Sequence, residues 1–296
     1  MKRTVIYAAV VILTLASCIN KSQSEQNTSG KNAIIKDSPT FQNGFSEVNG
    51  IKIYYEIYGH GKALILIHGG GSTIQTNFGK IIPLLAKSRK VIAVELQAHG
   101  RTSDRNTELT FEQDADDVAA LLKNLNINKA DFFGFSNGGT TTLQIAIRHP
   151  EIVGKMILGS ALAKRNGVYD WFWDHMKQAK LENMPVQLKV GYKKVAADTN
   201  GLQVMHDKDV SRILNFKDIS DDQIKGIKQP TLIIIGDKDV ITPIHAIELH
   251  SQIANSELAI IPGGHGEYIG EMTTIKSDFK ESDLIVPIIE KFLNKK

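Results

Sequence analysis

The chain has 296 residues, 42% of them hydrophobic and 23% charged, which is room for one large α/β domain or two small ones. Its formal net charge is +3, with no Lys/Arg cluster to concentrate it, so no nucleic-acid partner is expected. Its single cysteine, Cys18, excludes an internal disulfide, a thiol nucleophile in the body and a thiolate-built metal site.

Lys2 and Arg3 precede an almost wholly apolar run, Val5 to Ala16, which is the layout of an export signal. The run is shorter than the about 20 apolar residues a membrane-spanning helix needs. It ends in Leu15-Ala16-Ser17-Cys18, which resembles the bacterial lipobox. That resemblance implies a lipoprotein signal peptide over 1–17 and acylation of Cys18, with an ordinary cleaved signal as the alternative. The location implied is the bacterial cell envelope, membrane-anchored through lipid and facing outside the cytoplasm. Residues 18–40 are rich in Ser, Asn, Gln and Lys and read as a flexible tether. About 20 such residues span roughly 25 Å.

Beyond the tether, short apolar runs alternate with amphipathic segments. Ile51–Tyr58 alternates like an early antiparallel strand. Ala63–Ile67, Val91–Leu96, Ala130–Phe135, Lys155–Leu158 and Thr231–Ile235 are brief and mostly apolar, the pattern of strands buried on both faces, and Leu258–Ile261 reads as a further strand. Helical periodicity covers Asn77–Lys87, Phe111–Leu125, Gly138–Arg148, Ile244–Ala254 and Leu284–Leu293. The alternation predicts an α/β fold with a mostly parallel sheet and helices on both faces. Residues 162–228 break the rhythm and read as an inserted helical cap, the alternative being an ordinary helical excursion on the sheet edge. The cap carries Trp171 and Trp173, read as candidate substrate-binding residues or else as simple core.

Gly134-Phe135-Ser136-Asn137-Gly138 matches G-x-S-x-G, with an apolar strand entering and a helical pattern leaving. A serine at such a turn is held in a strained backbone so that its oxygen projects from the sheet, and the flanking glycines remove side chains that would collide. His68-Gly69-Gly70-Gly71 follows another buried strand and lets backbone N–H groups approach a ligand. Without a P-loop or Rossmann spacing, it reads as an oxyanion loop, with the N–H groups of Gly70 and Asn137 as donors and His68 as a structural support. Two aspartates, Asp237 and Asp239, follow one strand, and His265 follows the next. All lie at carboxyl ends of strands, the edge at which open α/β sheets bind ligands. Ser136 is the candidate nucleophile and His265 its base, with a carboxylate to fix the imidazole tautomer. The other histidines, among them His99, His175 and His206, read as surface or packing residues. No metal and no cofactor is called for.

From about Asn43 onward, these motifs in this order resemble the α/β-hydrolase fold family. Residues 41–296 would then be one such domain, with the cap inserted after strand 6. Within the resemblance, Val94 to Thr102 looks like the family's strand-4 loop, with Ala98 and Thr102 where glycine and serine are usual. Gly236 to Pro243 looks like its acid loop, which makes Asp239 rather than Asp237 the third member of a Ser136–His265–Asp239 triad. Relatives with aspartate at the elbow, the haloalkane dehalogenases and epoxide hydrolases, are excluded by Ser136. The resemblance implies a serine esterase acting on a small-molecule ester or lactone. The Ser-Asn-Gly-Gly elbow is similar to that of macrolide esterases, which implies opening of an antibiotic lactone. The alternatives are thioester or carbon–carbon bond hydrolysis, or a ligand-binding receptor that keeps the triad.

Overall fold

The computed structural model describes residues 41–275 and 282–295. The signal peptide, Cys18 and the tether called above lie outside the described residues. In chain order the strands are β1 (Phe41–Val48), β2 (Ile51–Tyr58), β3 (Ala63–Ile67), β4 (Lys90–Glu95), β5 (Ala130–Phe135), β6 (Val153–Gly159), β7 (Thr231–Gly236) and β8 (Ser256–Ile261). The helices are α1 (Ile74–Phe78), α2 (Ile82–Leu85), α3 (Phe111–Asn124), α4 (Asn137–Arg148), α5 (Asp170–Lys177), α6 (Val186–Val195), α7 (Gly201–Leu214), α8 (Asp221–Gly226), α9 (Pro243–Gln252) and α10 (Ser282–Asn294). The strands form one sheet in the order β1-β2-β4-β3-β5-β6-β7-β8. Pairing is antiparallel from β1 to β2 and from β2 to β4, and parallel across the rest.

Alternation within the buried strands explains why helices cover both faces. Ile65, Ile67, Ile92, Val94, Phe132, Ile233 and Ile235 pack into one core layer with residues of α3, α4 and α9. Leu64, Leu66, Val91, Ala93, Phe133, Leu232 and Ile234 pack into the other, with residues of α1, α2 and α10. A side chain of this size contributes about 1.5–3 kcal/mol when fully buried, so neither face can be left to water.

Parallel register then levels the strand ends. Ile67 pairs with Gly134, Phe135 with Gly159, Gly159 with Ile234, and Gly236 with Ile261. The loops that follow β3, β5, β6, β7 and β8 therefore open at one edge, and α5, α6 and α7 are inserted between β6 and β7 there. The last inserted helix, α8, contacts α4 and α9, and its Ile224 belongs to the main core. A small apolar cluster of the insertion contains Tyr192, Leu202 and Met205 and reaches Ala98.

Two elements differ from the sequence reading. β1 is an additional strand. Among the described residues it pairs only with β2, and Phe41 and Phe45 are 46% and 58% exposed, so it lacks the apolar alternation of a buried strand. The single helix expected over Asn77–Lys87 is instead the pair α1 and α2. Gly79 caps the first, and Pro83 sits in the first turn of the second.

The turn joining β1 to β2 is Asn49-Gly50, with φ of 43° and 85°, the left-handed pair a two-residue hairpin requires. A Cβ at Gly50 would meet nothing within 4 Å, so only backbone strain opposes a side chain. Gly50→Ala should cost about 1–2 kcal/mol in urea unfolding without changing the slope of the transition.

Candidate active site

At the β5–α4 junction, Ser136 has φ 54° and ψ −120°, a conformation that L-residues rarely adopt. Such strain costs about 1–3 kcal/mol and persists only where the surroundings impose it. Here the Ser136 N–H donates to Gly159 O at 2.8 Å, while Ser136 O accepts from Gly139 N at 2.8 Å and Thr140 N at 3.1 Å. A Cβ at Gly134 would strike Gly138 O and Thr142 Oγ1, and one at Gly138 would strike Ile67 O. The turn closes only with glycine at both positions.

His265 lies in the loop after β8, with Nε2 3.0 Å from Ser136 Oγ and Nδ1 2.7 Å from Asp239 Oδ1. A carboxylate accepts, so Nδ1 carries the proton and Nε2 faces the hydroxyl as acceptor. The Asp239 carboxylate also accepts from Ile241 N at 3.0 Å and from Ser160 Oγ at 2.6 Å. Ser160 Oγ is in turn 2.9 Å from the buried Tyr268 hydroxyl, which donates because Ser160 has given its own proton to Asp239. Asp237 is exposed and accepts from Gly263 N at 2.7 Å, tying the β7 and β8 loops without meeting His265. Ser160 escaped the sequence reading, although it follows β6 just as Ser136 follows β5.

Burial disfavours charge on both members of the pair, yet each stabilises the ion of the other. For Asp239, the nearby His265 and the hydrogen bonds outweigh burial and lower the pKa below 3.8. For His265, the Asp239 carboxylate outweighs burial and raises the pKa above 6.5.

Beside Ser136 the glycine loop is pinned on both sides of Gly70. Gly69 N donates to Asn77 Oδ1 at 2.6 Å, and Gly71 N donates to Asp209 Oδ2 at 2.5 Å. Between them the Gly70 N–H has no protein acceptor among the described residues, and the same holds for the Asn137 N–H at the start of α4. His68 supports the loop: its Nδ1 lies 2.7 Å from Gly69 O, and its Nε2 accepts from Leu96 N at 3.0 Å. Burial pushes its pKa down to about 3, so it is neutral.

A cavity of about 270 Å³ runs from Ser136, Asn137 and Gly70 up into the inserted helices. Its apolar walls include Phe172, Met176, Met184, Leu188, Met205 and Ile213. Trp171 and Trp173, the sequence candidates, do not line it. At about 100° per residue, the α5 face carrying Phe172 and Met176 toward the cavity turns its neighbours away. Trp171 is 52% exposed, and Trp173 lies under the Arg165 guanidinium at 3.7 Å. His175 and His206 line the cavity instead. Among the described residues, no group of three or more His, Cys, Asp or Glu could hold a metal ion.

With this geometry in place, comparison with known proteins defines the class. A family model described as alpha/beta hydrolase fold matches residues 62–189. The chain is 29% identical over 251 residues to the human serine hydrolase BPHL, covering 78% of this chain and 84% of that one. It is 39% identical over 117 residues to 2-hydroxymuconate semialdehyde hydrolase of Pseudomonas sp. (strain CF600), covering 38% of this chain and 41% of that one. The crystal structure of the CarC serine hydrolase involved in carbazole degradation superposes with a TM-score of 0.70 at 23% identity, covering 86% of this chain and 99% of that one. The chain has the α/β-hydrolase fold. It is a hydrolase of that fold with serine hydrolases among its homologues.

The two opposite pKa displacements set a pH window for the Asp239–His265 pair. Both groups are charged between the ordinary values of 3.8 and 6.5. The contribution to stability fades as pH falls below 3.8 and Asp239 takes up a proton, or as pH rises from 6.5 through the raised pKa of His265. A double-mutant cycle of Asp239→Asn and His265→Gln, followed by urea unfolding, should give a coupling of about 1–3 kcal/mol near pH 5. The coupling should shrink on either side of the window.

Proposed function

We propose that this chain hydrolyses carboxylic esters through an acyl-enzyme on Ser136. The observation that carries the reading is the unbroken line Asp239–His265–Ser136, opening on a cavity that Gly70 and Asn137 also line and whose two N–H groups have no acceptor among the described residues. Serine is a weak nucleophile at neutral pH and needs its proton taken as it attacks. His265 Nε2 takes that proton, and Asp239, fixing the tautomer, stabilises the imidazolium as it forms. The carbonyl oxygen becomes an oxyanion facing Gly70 and Asn137, where one such donor is worth about 2.7–4 kcal/mol in the transition state. His265 then protonates the leaving alcohol, and a water repeats the sequence to release the acid. The apolar cavity suits a compact apolar group on the ester, since each Å² buried there contributes about 25 cal/mol.

The notion of a macrolide lactone rests on the Ser-Asn-Gly-Gly elbow alone. A cavity of about 270 Å³ lies below the roughly 300–1,000 Å³ of sites that take drug-sized ligands, which favours smaller esters. Carbon–carbon bond hydrolysis is the second reading, favoured by the likeness to the semialdehyde hydrolase over residues that make up 38% of the chain. The leader ending at Cys18 supports placing the activity at the bacterial cell envelope.

Ser136→Ala should remove turnover of p-nitrophenyl butyrate by at least about 10³-fold, and full retention would end the assignment. Asp239→Asn should lower kcat by about 10³–10⁴-fold, while Asp237→Asn stays within a few-fold. For the wild type, kcat/KM should fall with acid through a midpoint above 6.5, because His265 must be neutral to act as base. A flat profile from pH 5 to 8 would remove His265 from that role. Turnover of a ring-cleavage dienoate in place of the ester would select the second reading.

A further inference from the structure

A buried ionic cluster joins the inserted helices to the glycine loop. Asp209, on α7, accepts from the Gly71 N–H at 2.5 Å and lies 2.9 Å from His99 Nε2, both contacts being made by Oδ2. Its other oxygen accepts from the Arg212 guanidinium one turn on, and Arg212 also donates to Asp114 of α3 at 2.6 Å. His99 is fully buried, and its Nδ1 lies 2.8 Å from Gln97 O. A carbonyl and a carboxylate both accept, so each ring nitrogen of His99 must carry a proton and the ring is an imidazolium. The His68 ring beside it, 4.9 Å between centroids, is neutral. The groups facing His99 are thus Asp209 and Arg212 from α7, Asp114 behind Arg212, and His68. Two cations balance two carboxylates only while His99 keeps both protons.

Asp209 meets the loop at a decisive point. Gly70, whose N–H points at the reaction centre in the proposed mechanism, has one neighbour held by Asn77 and the other by Asp209. A Cβ placed on Gly70 would meet the Asn137 side chain and, at 3.2 Å, Asp209 Oδ2, so the carboxylate borders the space beside the donor itself. The same helix lines the substrate cavity through Met205 and Ile213.

We propose that Asp209, held in place by the His99 imidazolium and Arg212, is the positioning residue that sets the direction of the Gly70 N–H in the oxyanion hole. The proposal rests on the reading of Gly70 as an oxyanion donor. Asp209 lines the substrate cavity but makes no hydrogen bond to Ser136 or His265. With its carboxylate neutralised, the acceptor that holds the Gly71 N–H is weakened, and the donor is freer to drift from the oxyanion. A charge-neutral amide at 209 has one acceptor oxygen and cannot serve Gly71, His99 and Arg212 together. Catalysis suffers more than substrate binding, because the donor is felt mainly where charge develops.

The test uses the wild-type protein, Asp209→Asn, His99→Gln and Ser136→Ala. In Asp209→Asn, kcat for p-nitrophenyl butyrate should fall about 10–100-fold with KM within about twofold. A kcat within twofold of wild type, or a loss carried by KM alone, overturns the proposal. Imidazole ¹⁵N NMR of the wild type at pH 7.5 should show both His99 nitrogens protonated, and a neutral ring overturns it independently of any turnover. As pH rises, wild-type kcat should decline in step with the loss of the second His99 proton. His99→Gln, whose donor does not titrate, should lack that decline, and an unchanged alkaline limb in this variant overturns the proposal. If Asp209→Asn does not fold, the NMR and pH arms decide. Ser136→Ala separately tests the esterase reading, since inactivity of the wild type would sink that reading while leaving the His99 protonation state measurable.

Discussion

The backbone of Ser136 sits in a left-handed conformation clamped between β5 and α4, and much of the surrounding architecture serves to keep it there. Its N–H is taken by Gly159 O, the last residue of the neighbouring strand, so the sheet itself holds the turn. The glycines at 134 and 138 let the helix start against the β3 carbonyls, and that close approach leaves the Asn137 N–H open. Strain and function share one cause here. A relaxed serine would lie back along the strand, and the hydroxyl would lose both His265 and the space beside the glycine loop.

Around that turn, partners arrive by register and not by proximity in sequence. Ser136, Ser160, Asp239 and His265 each follow a strand whose end is level with its neighbour's. The chain of hydrogen bonds from Tyr268 through Ser160 and Asp239 to His265 therefore runs across the sheet edge with each donor matched to one acceptor. A second charged assembly is tied to the glycine loop through Gly71, where His99, Asp209, Arg212 and Asp114 neutralise one another away from water. Buried ions need hydrogen-bond partners as well as opposite charge, and Asp209 has three donors there, while Arg212 Nε is left without an acceptor among the described residues.

How much of this was legible depended on which force left a trace in the sequence. Strands buried on both faces, such as Ala63–Ile67 and Thr231–Gly236, carry uninterrupted apolar runs and were readable within about two residues. The elbow was readable because sterics demand glycine at fixed offsets, and His265 and the pair Asp237/Asp239 because they follow strands, but the choice of Asp239 rested on the resemblance of Gly236 to Pro243 to the family's acid loop. β1 left little trace, since an edge strand with a solvated face needs no apolar alternation, although Asn49-Gly50 was a usable hairpin signal. Trp171 and Trp173 were open to two readings, cavity wall or core; neither lines the cavity and Trp173 packs against the main core, because the phase of α5 decides which side chains turn inward. Asp209 was invisible for a different reason. It lies 138 residues from Gly71, and their contact exists only once α7 has docked.

Three of the cavity's walls are methionines, Met176, Met184 and Met205. An unbranched thioether turns about three bonds and fills a gap by rotating, where a branched aliphatic would present a fixed outline. The chamber above Ser136 is therefore shaped by torsion angles, and guests of unlike outline can be wrapped at similar cost. Selectivity in such a site falls to the rigid parts near the serine, which read the geometry of the carbonyl and little of what it carries. The same softness has a chemical liability, because oxidation of the sulfurs would turn a yielding apolar lining into a polar one.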